Sequence, residues 1–422
     1  MKLGNDTAAP SSTFRDMGVN TALLKILDQR EITKPTPIQH QAIPLGIEGK
    51  DLIGIAQTGT GKTFAFGIPM LQRMAAGKKR GLIVLPTREL AYQVEEALKP
   101  FASALGIRTA VFVGGASMNL QRKMLKQNPR ILIATPGRLN DHLERKTVSL
   151  GEVEILVLDE ADRMLDMGFK PQIDKILNLV PRERQTLLFS ATMAQNIVKL
   201  ATAQMHLPLR IEVAPAGTTA AKVEQEVIIV RQPDKRNLLV SLLKENKGQV
   251  LVFSRTKHGA KKITRALNEK NIRAAEIHAN RSLAQRRAAL AGFKDGKYRV
   301  LIATDIASRG IDVTDIAIVI NYDLPDDAAD YVHRIGRTGR AGRTGLAISF
   351  ATPTQAGNIR EIEKLIRSSL NRKKHASLPE VSMDESITKP FRPPRRGARP
   401  PARNASRRGP RRPRSQKSYR KR

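Results

Sequence analysis

Residues 51–63 read DLIGIAQTGTGKT, a short apolar run followed by a loop rich in Gly and Thr. The apolar run predicts a buried strand, and the Lys-Thr pair opens a helical segment. Gly59 and Gly61 allow the backbone to turn tightly, so that successive N–H groups converge on phosphate oxygens. The stretch fits the phosphate-loop pattern, with Ala56 in place of the usual first glycine. It therefore predicts a nucleotide site at a strand-to-helix junction of an α/β domain.

The residues of this loop have separate expected roles. Lys62 is expected to neutralise the β and γ phosphates, and Thr63 to offer its hydroxyl to Mg²⁺. The following helix points its positive end at the same anion. The candidate nucleotide-binding residues of the loop are Ala56, Gln57, Thr58, Gly59, Thr60, Gly61, Lys62 and Thr63.

A group of acidic residues ends another apolar strand. Asp159, Glu160 and Asp162 follow the run Ile155–Leu158, and parallel sheets bind ligands at the carboxyl ends of their strands. Asp159 can hold Mg²⁺ directly or through water, and Glu160 can orient an attacking water molecule. Acids also favour a helix start, so the cluster becomes informative only together with the phosphate loop.

Short apolar runs alternate with helical segments through most of the chain, which is the pattern of parallel sheets with helical crossovers. A stretch of small residues around Val213–Ala221 separates two such series and predicts a linker. The sequence therefore predicts two α/β domains of similar size. The predicted strands are Asp51–Ala56, Gly81–Leu85, Arg130–Ala134, Glu154–Leu158, Thr186–Phe189, Glu226–Val230, Val250–Phe253, Ala274–His278, Arg299–Ala303, Ala317–Asn321 and Leu346–Phe350.

The composition points to an anionic partner. The formal net charge is +34 over 422 residues, which favours nucleic acid or an anionic membrane surface. No uncharged apolar run approaches the ~18 residues of a membrane-spanning helix, and Met1–Thr13 lacks an apolar signal core. Aromatic residues make up 4% of the chain, so a sheet that stacks several bases on exposed rings is not expected. Nucleic acid held mainly by its backbone, without membrane contact, is the expected partner.

The composition changes again from about Ser377. Phe391–Arg422 contains 14 Lys or Arg in 32 residues, no acid, and many Pro, Gly and Ser. Such a segment cannot bury enough apolar surface to offset its ordering entropy, so it predicts a disordered basic tail. Residues 1–390 still carry +20 of the +34 charge, so the folded part is expected to be basic as well.

The motifs together resemble those of the DEAD-box ATP-dependent RNA helicases, and most closely the bacterial RhlE-like branch, over roughly residues 14–365. The elements similar to those of the family's first domain are PTPIQ (35–39), AQTGTGKT (56–63), PTREL (86–90), GG (114–115), TPGR (135–138), DEAD (159–162) and SAT (190–192). The elements similar to those of its second domain are VFSRT (252–256), ATDIASRGID (303–312) and HRIGRTGR (333–340). These elements follow the family's order.

The resemblance implies two tandem RecA-like parallel-sheet domains that close over one ATP. Lys62, Asp159 and Glu160 would supply the catalytic groups of the first domain. Arg337 and Arg340 would arrive from the second domain as arginine fingers, because planar guanidinium groups can hold γ-phosphate oxygens as charge develops.

Further residues carry roles that the resemblance implies. Gln39 has an amide that can read N6 and N7 of adenine, which implies ATP rather than GTP, and Phe14 is the isolated aromatic upstream of it. Gly310 and Asp312 would lie near the nucleotide and its ribose. The candidates for sequence-independent RNA contacts are Arg88, Gly115, Thr135, Arg138, Thr256, Arg286 and Thr304. The residues implied to couple the two domains are Asp162, Ser190, Thr192 and His333.

Two positions depart from the family pattern. The family usually has a glycine and then an aromatic residue that stacks on adenine, where this chain has Glu31 and Ile32. Weaker nucleotide binding is therefore expected. The family often shows a Gln-x-x-Arg element, where this chain has Leu283 and keeps Arg286. The neighbouring RNA contact is expected to be weaker or made differently.

The expected organisation has five parts. These are a disordered N-terminus (1–13), an ATP-binding domain (14–212), a linker (213–222), a second helicase domain (223–370) and a disordered basic tail (371–422). The chain contains no cysteine, which excludes disulfides and thiolate metal sites and is compatible with a reducing, intracellular compartment. A cytoplasmic location is expected.

The expected function is an RNA-stimulated ATPase that locally unwinds short RNA duplexes or remodels RNA–protein complexes, with ATP and Mg²⁺. Two alternatives stay open: a DNA translocase of the same superfamily, and an RNA chaperone or assembly clamp whose annealing survives the loss of ATP hydrolysis. A comparison of ATPase stimulation by RNA and by DNA distinguishes the RNA helicase from the DNA translocase. The resemblance implies ribosome assembly, RNA turnover or cold adaptation, with ribosomal precursor particles or an RNA-decay complex as partners, and no residue selects among them.

Overall fold

A computed structural model of the chain describes residues 13–56, 59–213, 223–305, 316–339, 344–376, 378–379, 381–384 and 386. These residues form two seven-stranded parallel sheets. Residues 1–12 of the predicted N-terminus, 214–222 of the predicted linker and 387–422 of the predicted tail lie outside the described residues.

The first sheet has the strand order β3-β4-β2-β5-β6-β1-β7. Its strands are β1 Leu52–Ile55, β2 Arg80–Val84, β3 Thr109–Phe112, β4 Ile131–Ala134, β5 Val153–Leu158, β6 Gln185–Ser190 and β7 Leu209–Glu212. The helices of this domain are α1 Thr21–Gln29, α2 Pro37–Ile47, α3 Lys62–Ala76, α4 Arg88–Ala104, α5 Met118–Leu125, α6 Pro136–Glu144, α7 Ala161–Asp166, α8 Lys170–Leu177 and α9 Gln195–Gln204.

The second sheet has the order β10-β11-β9-β12-β13-β8-β14, which repeats the first order position by position. Its strands are β8 Val223–Ile229, β9 Gln249–Phe253, β10 Ala274–Ile277, β11 Val300–Ala303, β12 Ile316–Asn321, β13 Gly345–Ala351 and β14 Asn371–Arg372. Its helices are α10 Lys235–Glu245, α11 Lys257–Asn268, α12 Leu283–Lys294, α13 Ala328–Ile335 and α14 Ala356–Ile366, with a 3₁₀ turn at Pro353–Gln355.

Both faces of each sheet are buried, which explains the continuous apolar runs in the sequence. In β9, Val250 and Val252 pack into one core, while Leu251 and Phe253 pack into the core on the opposite face. A strand covered by helices on both sides needs apolar residues at successive positions, not at alternate ones. The prediction of two parallel-sheet α/β domains is confirmed.

Three strands were not predicted from the sequence. Strand β7, at the edge of the first sheet, buries only Ile211 and exposes its neighbours, so it lacks the apolar run of a central strand. Strand β14 has only two residues. Strand β3 did carry a signal, a β-branched and aromatic run that ends before Gly114.

The second domain extends past the predicted boundary at residue 370. Strand β14 pairs in parallel with β8, and Lys373 Nζ lies 2.8 Å from the buried carboxylate of Glu226. Glu226 is buried within β8, and a buried charge needs a partner of opposite charge. Leu378 then packs against the second domain's core. The predicted tail therefore begins later than residue 371, because this segment completes the sheet edge.

Candidate nucleotide and nucleic-acid site

The phosphate loop connects β1 to α3. Gly59 and Gly61 have φ angles of 87° and 90°, in the left-handed region that favours glycine. A Cβ atom on Gly61 would clash with the amide of Gln39. Gln57 and Thr58, two of the predicted loop residues, lie outside the described residues. The described part has the tight backbone expected of a phosphate-binding turn.

Lys62 begins α3, and its side chain is buried at the base of this loop. Among the described residues, its Nζ atom has no hydrogen-bond partner. A buried ammonium group without a hydrogen-bond partner is costly, so this position is complementary to an anion such as a phosphate. Thr63 follows on the same helix and is half-buried.

Asp159, directly after β5, lies in a buried position at the same edge of the sheet. Burial raises the pKa of Asp159 to about 6, against the opposing effect of the Lys62 charge. A carboxylate destabilised by burial is the kind of group that a divalent cation stabilises. The donor set of Asp159 and Thr63 therefore fits Mg²⁺.

Glu160 has a left-handed backbone, with φ 53° and ψ 47°, at the N-cap of α7. Arg163, one turn later, donates from Nη1 to Glu160 Oε2 at 2.9 Å. Burial favours a higher pKa for Glu160, but the charges of Arg163, Lys62 and Arg337 outweigh it, so the pKa is lowered. Glu160 is therefore held as a carboxylate. Arg163 is a residue of the site that the sequence motifs did not single out.

Three of the predicted coupling residues lie together at the carboxyl ends of β5 and β6. The Oδ2 atom of Asp162 accepts hydrogen bonds from the backbone N–H groups of Ala191 and Thr192, both at 3.0 Å. The Ser190 hydroxyl donates to the Thr192 carbonyl at 2.7 Å. The backbone N–H of Ala56 donates to the Ser190 carbonyl at 3.0 Å. These bonds connect the acidic cluster to the phosphate loop through residues 190–192.

A cavity lies where the two domains meet. Arg334 donates two hydrogen bonds to the Asp305 carboxylate, at 2.6 and 2.7 Å, and its guanidinium lies 5.0 Å from the centroid of the Phe253 ring. These contacts fix the end of α13, which leads to Arg337. The cavity is lined by Arg163 from the first domain and by Phe253, Asp305, Asp330, His333, Arg334 and Arg337 from the second.

The structure thus brings His333 and Arg337 to the domain interface, on the side where Arg163 and Glu160 lie. The charge of Arg337 is among the causes that lower the pKa of Glu160. Arg340, Gly310 and Asp312 lie outside the described residues.

Gln39 connects α2 to the phosphate loop. Its Nε2 donates to the Gly61 carbonyl at 3.0 Å, and its Oε1 accepts from the Thr36 backbone N–H at 2.9 Å. Among the described residues each end of the amide makes one hydrogen bond, so one N–H and one lone pair have no partner there and could contact adenine. Phe14 is only 2% exposed and lies in the first domain's core, so its ring offers little surface to a base. Ile32 packs against the same core.

The departure at Glu31 has a backbone consequence. The N–H of Ile32 donates to the Leu27 carbonyl and the N–H of Glu31 to that of Asp28, both at 3.0 Å. This pattern is the Schellman motif that ends a helix, and its left-handed residue is usually glycine. Glu31 occupies that position with φ 56°.

Glu31→Gly is expected to raise the free energy of unfolding by about 1 kcal/mol, because glycine adopts the left-handed region without strain. Urea unfolding of the two proteins measures the change. Glu48→Gly is the matched control, since Glu48 is also exposed at a helix end but has φ −66°. An equal gain from both substitutions would contradict the explanation.

The predicted RNA contacts of the first domain come together beyond the ends of β2, β3 and β4. Gly115 has φ 78°, and a Cβ atom there would clash with the guanidinium of Arg88. Arg138 donates to the Ala116 carbonyl at 3.0 Å. Thr135 is buried at the N-cap of α6. Arg88 and Arg138 therefore both contact the glycine loop, and Arg138 is largely engaged in holding it.

A buried polar network lies next to the loop that contains Gly115. Gln121 Nε2 donates to the Val113 carbonyl, and Gln121 Oε1 lies 3.0 Å from Nε2 of His142. Burial is the main cause that lowers the pKa of His142, so the ring is neutral and Nε2 can donate. The sequence motifs missed both residues, since a single Gln in a short helix carries no distinguishing pattern.

In the second domain, Thr256 and Thr304 follow the carboxyl ends of β9 and β11. The Thr256 hydroxyl caps α11 by accepting from the Gly259 N–H at 2.9 Å, yet the residue is exposed. Thr304 is half-buried, and its N–H donates to the Ile277 carbonyl. Both hydroxyls lie at the sheet edge where the resemblance places an RNA backbone.

Arg286 lies elsewhere than predicted. Its Nη2 atom is 2.8 Å from Glu89 Oε2 in α4 of the first domain, with side-chain exposures of 9% and 4%. This pairing leaves Arg286 little exposed surface and makes it a link between the two domains. Arg287 places its guanidinium 4.6 Å from the Tyr92 ring centroid. Leu283 packs against the first domain's core, so an apolar contact replaces the expected glutamine.

Two similar parallel-sheet domains that meet beside a phosphate loop and a buried acidic cluster define a nucleotide-hydrolysing motor of the helicase class. Comparison with family models specifies the class further. The DEAD/DEAH box helicase family matches residues 36–200, and the helicase conserved C-terminal domain matches residues 234–342. The chain therefore belongs to the DEAD-box family of ATP-dependent RNA helicases and is an ATPase and helicase enzyme.

Similar proteins agree with this assignment. The chain is 44% identical over 354 residues to the ATP-dependent RNA helicase CshA of Listeria monocytogenes, covering 83% of this chain and 68% of CshA. It is 44% identical over 352 residues to the ATP-dependent rRNA helicase RRP3 of Yarrowia lipolytica, covering 82% and 73%. A structure of Mss116p without its NTE and C-tail, bound to ssRNA and AMP-PNP, shares 28% identity with a TM-score of 0.82, covering 90% of this chain and 82% of that one. The RecA-like fold expected for both domains is confirmed.

In the part of the chain that the structure describes, none of the helices has the length and apolar character needed to cross a bilayer.

Proposed function

We propose that this chain hydrolyses ATP to clamp an RNA backbone between its two domains, and so unwinds or remodels short RNA duplexes or RNA–protein complexes. The observation that carries the proposal is that Arg337, from the second domain, lines the same cavity as Arg163 of the first, whose side chain is bonded to Glu160. An active site divided in this way is complete only when the domains are together. Hydrolysis would therefore depend on the closure that RNA promotes.

The proposed chemistry assigns one role to each group. Lys62 would bind the β and γ phosphates, and Arg337 would stabilise the charge that develops on the γ phosphate. Glu160, held as a carboxylate, would orient the attacking water and accept its proton. Asp159 and Thr63 would hold Mg²⁺, which neutralises phosphate charge when bound. The same proposal includes Arg340 as a second finger and Gly310 and Asp312 as nucleotide contacts.

The proposed RNA surface runs across both domains. Arg88 and the Gly115 loop would contribute from the first domain, and Thr256 and Thr304 from the second. Guanidinium, amide and hydroxyl groups suit phosphate and 2′-OH contacts, which carry no base sequence information. The Mss116p structure, which is similar to this chain over 90% of its length, is bound to ssRNA, which supports RNA as the ligand.

The test is ATP hydrolysis and strand displacement with the full chain, using a short RNA duplex and a DNA duplex of the same sequence. The RNA duplex, but not the DNA duplex, should stimulate ATP turnover. Lys62→Ala should weaken ATP binding and abolish strand displacement. Equal stimulation by DNA would favour a DNA translocase. Undiminished strand exchange by the Lys62→Ala protein would favour an RNA chaperone.

Finer assignments belong to the same proposal. We place the chain in the RhlE-like branch, on the resemblance of its motifs, with an ATP-binding domain at 14–212 and a second helicase domain from 223. A cytoplasmic role in ribosome assembly or RNA turnover is proposed, acting on ribosomal precursor particles or an RNA-decay complex. RRP3, named as an rRNA helicase, supports the ribosomal choice. Sequencing RNA crosslinked to the protein in cells tests this choice.

The basic segment Phe391–Arg422 is proposed to tether RNA. If about half of its 14 basic residues contact phosphates, removing them should lower the salt slope of single-strand binding by ~5, at 0.7 per contact. Cutting after residue 390 spares Leu378 and Met383, which pack on the second domain. Turnover at saturating RNA should therefore survive. Equal salt slopes for the full and shortened chains would rule out the tether.

A further inference from the structure

We propose that Arg163 is a positioning residue for hydrolysis, which holds the Glu160 carboxylate in place and keeps it from pairing with the cations that receive the phosphates. The inference rests on the proposed role of Glu160 in orienting water. It adds to that role a residue that acts through Glu160 and not on the substrate itself.

The geometry of the pair restricts Glu160. Glu160 and Arg163 are joined at 2.9 Å with side-chain exposures of 4% and 3%. The bond uses Oε2 of Glu160, so the second carboxylate oxygen is left for other partners. The backbone N–H of Arg163 is itself bonded to Asp162 Oδ1 at 2.9 Å. Both ends of the pair are therefore anchored in the acidic cluster.

The backbone conformation of Glu160 explains why its carboxylate needs the ion pair with Arg163. Its left-handed conformation places strain at this residue, and such strain persists only where surrounding contacts hold it. A buried carboxylate must also have a charged or hydrogen-bonding partner. Arg163 supplies that partner from within the same short helix, so the position of Glu160 does not depend on whether the domains are closed.

Without Arg163, the positive charges that still act on Glu160 include those of the phosphate-binding groups. Lys62 and Arg337 both act electrostatically on Glu160, and each is assigned to phosphate oxygens in the proposed function. A Glu160 side chain that turned towards either cation would block a phosphate ligand and leave the water unoriented. Arg163 satisfies Glu160 locally, so that Glu160 does not need Lys62 as a partner and Lys62 can bind the nucleotide.

A purely structural ion pair is the competing explanation. Arg163 also lines the cavity at the domain interface, beside His333 and Arg337, which places it at the working edge of the sheet and not in a distant core. A structural role would lower the stability of the first domain. A positioning role would lower kcat much more than it changes KM for ATP.

The experiment measures RNA-stimulated turnover of the full chain with Arg163→Gln, Arg163→Lys, Glu160→Gln and the double variant. Displacing a catalytic group by about 1 Å costs on the order of 100-fold, so Arg163→Gln should lower kcat by roughly 10- to 100-fold. Arg163→Lys keeps the charge and should recover most of the loss. Arg184→Gln is the matched control, since Arg184 is a partly buried arginine that bonds to Thr186 and Gln204, away from the site.

The double variant shows whether Arg163 affects kcat only through Glu160. If Arg163 acts only through Glu160, then Glu160→Gln with Arg163→Gln should be no slower than Glu160→Gln alone. Full activity of Arg163→Gln, or an additive loss in the double variant, would overturn the inference. Arg163→Lys turnover as low as that of Arg163→Gln, with both proteins folded by thermal melting, would also overturn it. Near-normal turnover of Glu160→Gln would instead overturn the proposed function.

Discussion

Glu160→Gln should lower RNA-stimulated kcat by at least about 100-fold, the usual worth of a positioned general base, while ATP and RNA still bind. Glutamine keeps the shape of glutamate and can still accept a bond from Arg163. It lacks the negative charge that would draw a proton from the attacking water. The buried cluster loses one negative charge, on which Lys62, Arg163 and Arg337 all act electrostatically.

The measurement is turnover at saturating ATP and RNA, together with direct binding of a non-hydrolysable ATP analogue and of a single-stranded RNA. Glu183→Gln is a suitable control, because Glu183 is an exposed glutamate before β6. Retained binding with lost turnover would assign Glu160 to the chemical step. Near-normal turnover would remove it from that role.

The local parts of the site were predictable from the sequence because each is formed within a few residues. The phosphate loop needs Gly59 and Gly61 for its backbone angles. The acids at 159–162 directly follow an apolar strand, and their role was predicted together with that loop. Both strands are central and buried on two faces, so their apolar runs are unambiguous. The sequence did not predict the strand order, and it missed the edge strand β7 because that strand buries a single side chain.

The parts that sequence reasoning missed depend on distant residues. Arg286 and Glu89 are 197 positions apart, and nothing within a few residues of Arg286 marks its partner. Gln121 in α5 and His142 in α6 are 21 positions apart, so their contact depends on the tertiary fold. Arg163 is adjacent to the DEAD motif, yet its bond to Glu160 follows from the left-handed turn at that residue, which no residue type in the motif predicts.

Glu89→Gln should weaken RNA binding in the presence of an ATP analogue by about 100-fold. The Glu89–Arg286 pair joins the two domains in a buried position, and removing one partner of a buried pair costs about 3–5 kcal/mol because the other charge stays unpaired. The chain can limit this cost by opening, which exposes Arg286 to water. The closed state would therefore be disfavoured. Because a tenfold change in affinity corresponds to about 1.4 kcal/mol, the expected 100-fold loss corresponds to about 2.8 kcal/mol.

The measurement is RNA affinity with and without the analogue, since only the closed state uses the pair. Urea unfolding should change little, because the pair lies between the domains and not inside either core. Exchanging the two residues, Glu89→Arg with Arg286→Glu, should restore part of the affinity, although Arg88 is a neighbouring like charge. Glu269→Gln is the control, because Glu269 pairs with Arg265 at exposures of 59% and 82%, and exposed pairs contribute about 0–1 kcal/mol. If Glu89→Gln and Glu269→Gln behave alike, the interdomain pair does not hold the closed state, and closure would depend on Leu283 and on the Arg287–Tyr92 contact instead.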